Sequence, residues 1–172
     1  MVSDKYLAGL IDADGCFDLR VSKVGEVYYI RPRVRITQKA FLPIPWRHRV
    51  TKAGYNEWSI EGISVINRVK KYLVLKSGQA QWLSQTDTSG GHTISELRQI
   101  KAELKATRYE STVKNFPTRK WLAGYFDGDG CLTAGLRTDR VKPYVAAMIT
   151  VHQDDLTAIE LIQKNFGGQI VS

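Results

Sequence analysis

One short phrase occurs twice in this chain, and it restricts the fold more than any other feature. Residues 6–17 read YLAGLIDADGCF and residues 121–132 read WLAGYFDGDGCL. Leu7, Ala8, Gly9, Asp12, Asp14, Gly15 and Cys16 return as Leu122, Ala123, Gly124, Asp127, Asp129, Gly130 and Cys131. A phrase repeated at roughly one small-domain spacing implies two copies of one structural unit. Each copy brings acidic residues to the same place, which suits a nearly symmetric target such as duplex nucleic acid.

The phrase itself reads as a helix. Ser3 is an N-cap for a helix over 4–13, in which Leu7, Leu10 and Ile11 have helical spacing. Gly9 and Ala13 lie four apart on one face. The second copy opens with Pro117 and Thr118 before a helix over 119–128, and Gly124 and Gly128 fall on the matching face. Glycine inside a helix costs about 1 kcal/mol relative to alanine. That cost makes sense if the two helices pack so closely that a side chain would collide. Gly15 and Gly130 end the helices.

Strands are expected over 16–24 and 27–38 around a turn at Gly25. In the second, Arg31, Arg33 and Arg35 alternate with Val34 and Ile36, so the arginines share one face and the apolar residues the other. Arg20 and Lys23 add charge to the preceding strand. A further hairpin spans 47–52 and 55–60, with Trp58 and Ile60 facing inward. Helical patterns follow over 64–73 and 79–85, then a loop over 86–91. Thr93 and Glu96 form a capping box for a helix over 94–108. The second unit repeats the opening order, with strands over 131–137 and 144–151. A helix follows, capped by Asp154 or Asp155, striped by Leu156, Ile159 and Ile162, and stopped at Gly167. The reading is α+β: a first unit over 1–108, a linker over 109–117, and a second unit over 118–172 that is expected to be incomplete.

The composition narrows the function classes. With 43% apolar residues and no apolar run near the ~20 needed to span a bilayer, the expectation is an intracellular soluble protein without membrane association. Cys16 and Cys131 are expected to be small buried residues in a reducing compartment. A formal net charge of +8 favours a polyanionic partner. No histidine nucleophile or serine triad is discernible. Asp14 and Asp129 end their helices, where the negative end of each dipole adds to the carboxylates. Two such ends side by side call for a cation. Carboxylate and carbonyl oxygens are hard ligands that suit Mg²⁺, and Mg²⁺ can activate water and stabilise charge in phosphodiester hydrolysis.

Residues 7–15, LAGLIDADG, match letter for letter the signature of the LAGLIDADG homing endonucleases, and LAGYFDGDG at 122–130 resembles a second copy. The resemblance implies tandem αββαββα units with pseudo-two-fold symmetry. The motif helices form the centre, and antiparallel sheets form a saddle in the DNA major groove. It makes Asp14 and Asp129 catalytic metal ligands, with the carbonyls of Ala13 and Gly128 assisting. It gives Gln38, in Ile36–Lys39, and Gln153 the orienting of water, and places Lys76, in LKSGQA, near the scissile phosphates. Asp18, Arg20, Ser22, Arg31, Arg33 and Arg35 become DNA-contacting residues of the first unit, and Thr133, Arg137 and Lys142 of the second, alongside Gly135.

The implied activity is that of a monomeric, site-specific endonuclease. It would cut double-stranded DNA at a long pseudo-palindromic or asymmetric site, leaving short 3′ overhangs. Mg²⁺ would serve as cofactor, with Mn²⁺ substituting and Ca²⁺ binding without supporting cleavage. An organelle, or a prokaryotic cytoplasm or nucleoid, is the implied location, and intron RNA a further partner.

Two departures from the family pattern stand out. The segment 40–46, AFLPIPW, carries two prolines where the family has an amphipathic helix. The chain given also ends at Ser172, before a second hairpin and closing helices. An RNA maturase, or a DNA-binding protein without cleavage, would share the fold. The phrases DADG and DGDG also resemble the opening of haloacid-dehalogenase-like Mg²⁺ phosphatases, but those want threonine where Cys16 and Cys131 stand. An EF-hand is poorer, because its glycine belongs later in the loop.

Overall fold

The computed structural model describes residues 2–107, 116–138, 141–153 and 156–171. Helix α1 (Asp4–Asp14) starts where the Ser3 hydroxyl accepts the Tyr6 amide at 3.3 Å. Its counterpart α5 (Arg119–Asp129) starts the same way, with Thr118 accepting from the Trp121 amide at 3.2 Å. The two helices lie backbone to backbone. A Cβ on Gly9 would strike the Trp121 carbonyl, one on Gly124 would strike the Tyr6 carbonyl, and one on Gly128 would meet the Ala13 methyl. The small residues at these positions are therefore what lets the helices touch. Ala8, Leu10, Ile11 and Tyr125 are wholly buried around this contact, and the Trp121 and Tyr125 rings stack at 4.8 Å.

Each helix hands its chain directly to a hairpin. Strands β1 (Gly15–Val24), β2 (Val27–Gln38), β3 (Arg47–Val50) and β4 (Asn56–Glu61) form one antiparallel sheet in the order β1-β2-β4-β3. Gly25, at φ +59°, turns the first hairpin. Phe17 pairs with Val34, and Ile36 with Trp58, so their inner faces form one buried layer. That layer is covered by α2 (Ile63–Val69), the 3₁₀ turn Lys70–Tyr72, α3 (Ser77–Gln85) and α4 (Ile94–Ala106), through Val65, Ile66, Val69, Leu83, Leu97 and Leu104. The Thr93–Glu96 capping box is formed. Residues 39–46 carry no helix, as the prolines require. Ile44 is buried there, and Leu42 and Trp46 pack on the core in its place.

In the second unit β5 (Gly130–Arg137) and β6 (Tyr144–Val151) form a two-stranded antiparallel sheet, followed by α6 (Leu156–Phe166). Leu132, Leu136, Val145 and Ile149 share one face of this sheet and are largely exposed.

Several expectations change. Cys16 and Cys131 are exposed, not buried: Gly15 and Phe17 point inward, so strand alternation turns Cys16 to the opposite face. Leu156 is exposed, and the stripe of α6 that packs is Ala158, Leu161 and Ile162. The helix expected over 64–73 breaks into α2 and the 3₁₀ turn. Arg108, most of the 109–117 linker, and the caps Asp154 and Asp155 lie outside the described residues. Among the described residues no helix is long and apolar enough to cross a membrane.

Candidate metal centre and nucleic-acid saddle

Because α1 and α5 touch along their small faces, they also finish side by side. Asp14 and Asp129 thereby face each other as hydrogen-bonding and charge partners. Each carboxylate has its own amide partner. Gln38 Nε2 donates to Asp14 Oδ2, and Gln153 Nε2 donates to Asp129 Oδ2. Both glutamines stand 24 residues after their aspartate, so the pairs are related by the duplication. Burial pushes Asp129 up to about 6, with the Asp14 charge adding to it and Lys76 opposing. Burial also raises Asp14, against Lys76, Asp129 and Gln38.

Lys76 sits at the end of α1. Its Nζ donates to the carbonyls of Ile11 at 2.8 Å, Ala13 at 3.0 Å and Gly15 at 2.8 Å. The ammonium therefore lies at the negative pole of the helix, beside Asp14. It engages the Ala13 carbonyl to which the family resemblance gives a metal-assisting role. Gly128 occupies the matching position on α5, against the Ala13 methyl. Among the described residues no cluster of three or more His, Cys, Asp or Glu side chains forms a cation cage. The donor set is instead two facing carboxyl groups at helix C-termini with carbonyls beside them. That set fits a hard divalent cation that keeps much of its water.

Asp12 was not singled out by the sequence, yet it organises this centre. It is buried, and its Oδ2 accepts from the Val74 amide at 2.7 Å and the Trp121 indole at 2.8 Å. Its Oδ1 accepts from the Leu75 amide at 3.2 Å and the Lys76 amide at 2.8 Å. One carboxylate thus fixes the turn that carries Lys76 and ties α1 to α5. Burial raises its pKa against these donors. Its recurrence inside the phrase, on a face otherwise apolar, was the available signal. The symmetry-related bond runs from the Tyr6 hydroxyl to Asp127 Oδ2 at 2.6 Å, on an exposed side. Burial and Asp127 keep that phenol protonated above its ordinary pKa.

The outer face of the four-stranded sheet is polar. Cys16, Asp18, Arg20 and Ser22 on β1 share it with Arg31, Arg33 and Arg35 on β2, as strand alternation requires. Arg33 makes a bidentate pair with Asp18, at 2.8 and 2.9 Å. Arg35 bridges Asp18 at 2.6 Å and Glu57 at 3.5 Å, and Arg49 reaches Glu57 at 2.7 Å. Arg20 pairs with Glu61 at 2.5 Å. Arg47, Arg49, Glu57 and Glu61 are additions that the sequence reading missed, although the alternation RHR and EWSIE was there to be used. The Arg49 guanidinium holds Glu57 below the ordinary carboxylate range, against the effect of burial. On the second sheet Thr133 and Arg137 face outward beside Met148 and Tyr144, with Gly135 between them, and Lys142 is exposed before β6.

No protein-family model and no curated protein matches the sequence. Solved structures do. The chain superposes over its full length on I-SmaMI bound to uncleaved DNA target in the presence of calcium ions, with a TM-score of 0.63, 17% identity and 75% of that chain covered. The LAGLIDADG meganuclease I-AabMI bound to uncleaved DNA matches 99% of this chain and 75% of its own, at TM-score 0.60 and 16% identity. The I-LtrWI LAGLIDADG homing endonuclease bound to target DNA matches 94% of this chain and 70% of its own, at TM-score 0.60 and 17% identity. At this level of identity the likeness establishes architecture, and together with the duplicated helix pair it gives this chain the fold of the LAGLIDADG homing endonucleases.

Proposed function

We propose that this chain is a site-specific endonuclease for double-stranded DNA that works with divalent metal. What carries the reading is the duplicated Asp–Gln pair, Asp14 with Gln38 and Asp129 with Gln153, at the meeting point of two helices below a cationic strand face. Two equivalent carboxylates suit two equivalent tasks, one on each strand of a duplex. Asp14 and Asp129 would hold the metal, with the carbonyls of Ala13 and Gly128 in reach. A bound Mg²⁺ supplies Lewis acidity toward the phosphate and lowers the pKa of the attacking water. Mn²⁺ would replace it, and Ca²⁺ would retain DNA without turnover.

The protein's own groups do the positioning. Gln38 and Gln153 fix the carboxylate rotamers, and each amide has an acceptor oxygen left to orient water. Lys76 brings a positive charge to the position where a phosphate would develop negative charge. The outer strand face would enter the major groove of a long, asymmetric or pseudo-palindromic target, with the chain acting as a monomer. The expected products carry short 3′ overhangs.

The test is incubation with a plasmid library of randomised inserts and Mg²⁺. Selective cutting is expected, and Asp14→Asn and Asp129→Asn should each abolish it. Unchanged nicking by either variant would sink the shared-metal assignment. Accelerated splicing of an intron RNA without DNA cutting would replace this reading with a maturase.

A further inference from the structure

The two outer strand faces are related by the duplication but differ in chemistry. On the first, the paired positions Cys16–Arg35, Asp18–Arg33 and Arg20–Arg31 place charge in nearly every row, and β3 and β4 extend the pattern through Arg47, Arg49, Glu57 and Glu61. On the second, the corresponding rows are Cys131–Thr150, Thr133–Met148 and Gly135–Ala146, and Arg137 with Tyr144 comes only at the far end. Small and apolar groups occupy the places that arginines hold in the first unit.

The arginines of the first face are also held in place. Arg33, Asp18, Arg35, Glu57 and Arg49 form one chain of alternating charge across all four strands. Adjacent arginines on one face repel and would otherwise swing toward any nearby phosphate. The acids hold them in a row and cancel part of their charge. Glu57, at 7% exposure, is buried among them and anchors two arginines to β4. Arg31 and Arg47 have no ion-pair partner among the described residues.

In the major groove, arginine recognises guanine O6 and N7, and aspartate or glutamate accepts from the cytosine amino group. Alanine, threonine and other apolar groups contact the thymine methyl. We infer that the two half-saddles read chemically different half-sites. The first takes a half-site rich in G·C pairs, read by an arginine row that Asp18 and Glu57 position. The second takes a half-site read through small and apolar contacts, biased toward A·T. This inference rests on the proposed DNA reading and adds the base composition and orientation of its target.

The experiment is selection of bound duplexes from a randomised library in Ca²⁺ buffer, using the wild-type chain, the double variant R33A/R35A, R31A and D18N. The wild type should enrich a site with a G·C excess in one half. R33A/R35A should erase that excess while leaving the other half's preference intact. R31A removes an exposed side chain with no ion pair, so it should lose preference at one position, by about tenfold or more, without a folding defect. D18N removes one negative charge, releasing Arg33 and leaving Arg35 with Glu57 alone. It should bind random duplex more tightly and discriminate less, with a salt dependence steeper by about 0.9 in log–log slope for each phosphate gained. A purely structural role for Asp18 would instead weaken all binding together.

Equal G·C content in both selected halves would overturn the inference, as would R33A/R35A changing the opposite half. Enrichment of no sequence by the wild type would overturn the site-specific endonuclease reading itself, a separable outcome.

Discussion

The Trp121 indole donates a 2.8 Å hydrogen bond to Asp12 across the interface of the two motif helices. Tyr6, at the same place in the other copy, donates to Asp127 at 2.6 Å. The bonds are symmetric but their surroundings are not: Asp12 is buried and Asp127 is exposed. Trp121→Phe should therefore cost about 2 kcal/mol, the range for a buried hydrogen bond to a charged group, whereas Tyr6→Phe should cost under about 1 kcal/mol. Asp12→Ala removes the buried acceptor shared by three backbone N–H groups and an indole and should cost about 3 kcal/mol or more. Urea unfolding of the three variants checks the ranking, and equal losses for Tyr6→Phe and Trp121→Phe would contradict it.

The helix contact makes an opposite-signed prediction at glycine. In a solitary helix, Gly9→Ala or Gly124→Ala would gain about 1 kcal/mol. Here the new methyl would run into the Trp121 or Tyr6 carbonyl, which are backbone atoms that cannot step aside. Each substitution should destabilise the protein by about 2 kcal/mol or more, within the range for overpacking. Gly135→Ala is the control, because nothing stands near its added Cβ. Thermal unfolding in which Gly9→Ala matched Gly135→Ala would show that the helices do not meet this closely.

Such contrasts also mark what the sequence could and could not reveal. The helices, Asp14 and Asp129 were legible because local spacing and duplication set them. Gln38 and Gln153 were reached only through the family resemblance, their common spacing of 24 residues from the aspartates being evident once the bonds are seen. The role of Asp12 was not legible, since its partners Val74, Leu75 and Lys76 lie 62 to 64 residues away and meet it only after the chain has folded back. Glu57 and Arg49 could have been placed on the outer face by alternation, but their link to Arg35 could not, because the β2–β4 register decides which acid comes within its reach. The exposed cysteines are a different kind of miss. Alternation from Phe17 already placed Cys16 outward, and cysteine's general preference for the interior overrode it.

The carboxyl pair sets a pH dependence. In metal-free protein the folded-state pKa of Asp129, about 6, lies above its ordinary value of 3.8. A raised carboxyl favours the protonated fold, so its contribution to stability is complete below the ordinary value and disappears as pH rises through about 6. Partial exposure screens the effect and keeps it modest. Melting temperature in EDTA should fall between roughly pH 4 and 7, and Asp129→Asn should flatten that part of the profile. Added Mg²⁺ should reverse the slope, because the cation binds only the ionised pair. An unchanged profile in Asp129→Asn would remove this group as the origin.

Lys76 separates positioning from binding. Its ammonium caps three carbonyls at the end of α1, which is a stability role, and stands beside Asp14, where the proposed function gives it a catalytic one. Lys76→Met keeps the aliphatic stem but leaves those carbonyls without their cation, at a cost of about 1 kcal/mol. The same change removes the one cation this turn brings to the proposed metal site. Cleavage should therefore fall by about a hundredfold, the scale for losing an electrostatic partner of the transition state. DNA affinity should move little, because the arginines proposed to contact DNA lie on the strands, away from the turn that carries Lys76. Single-turnover cleavage and equilibrium binding measured on the same variant distinguish the two roles. A parallel loss of binding and cleavage would reduce Lys76 to a structural cap, whereas a loss confined to cleavage places its charge at the scissile phosphate.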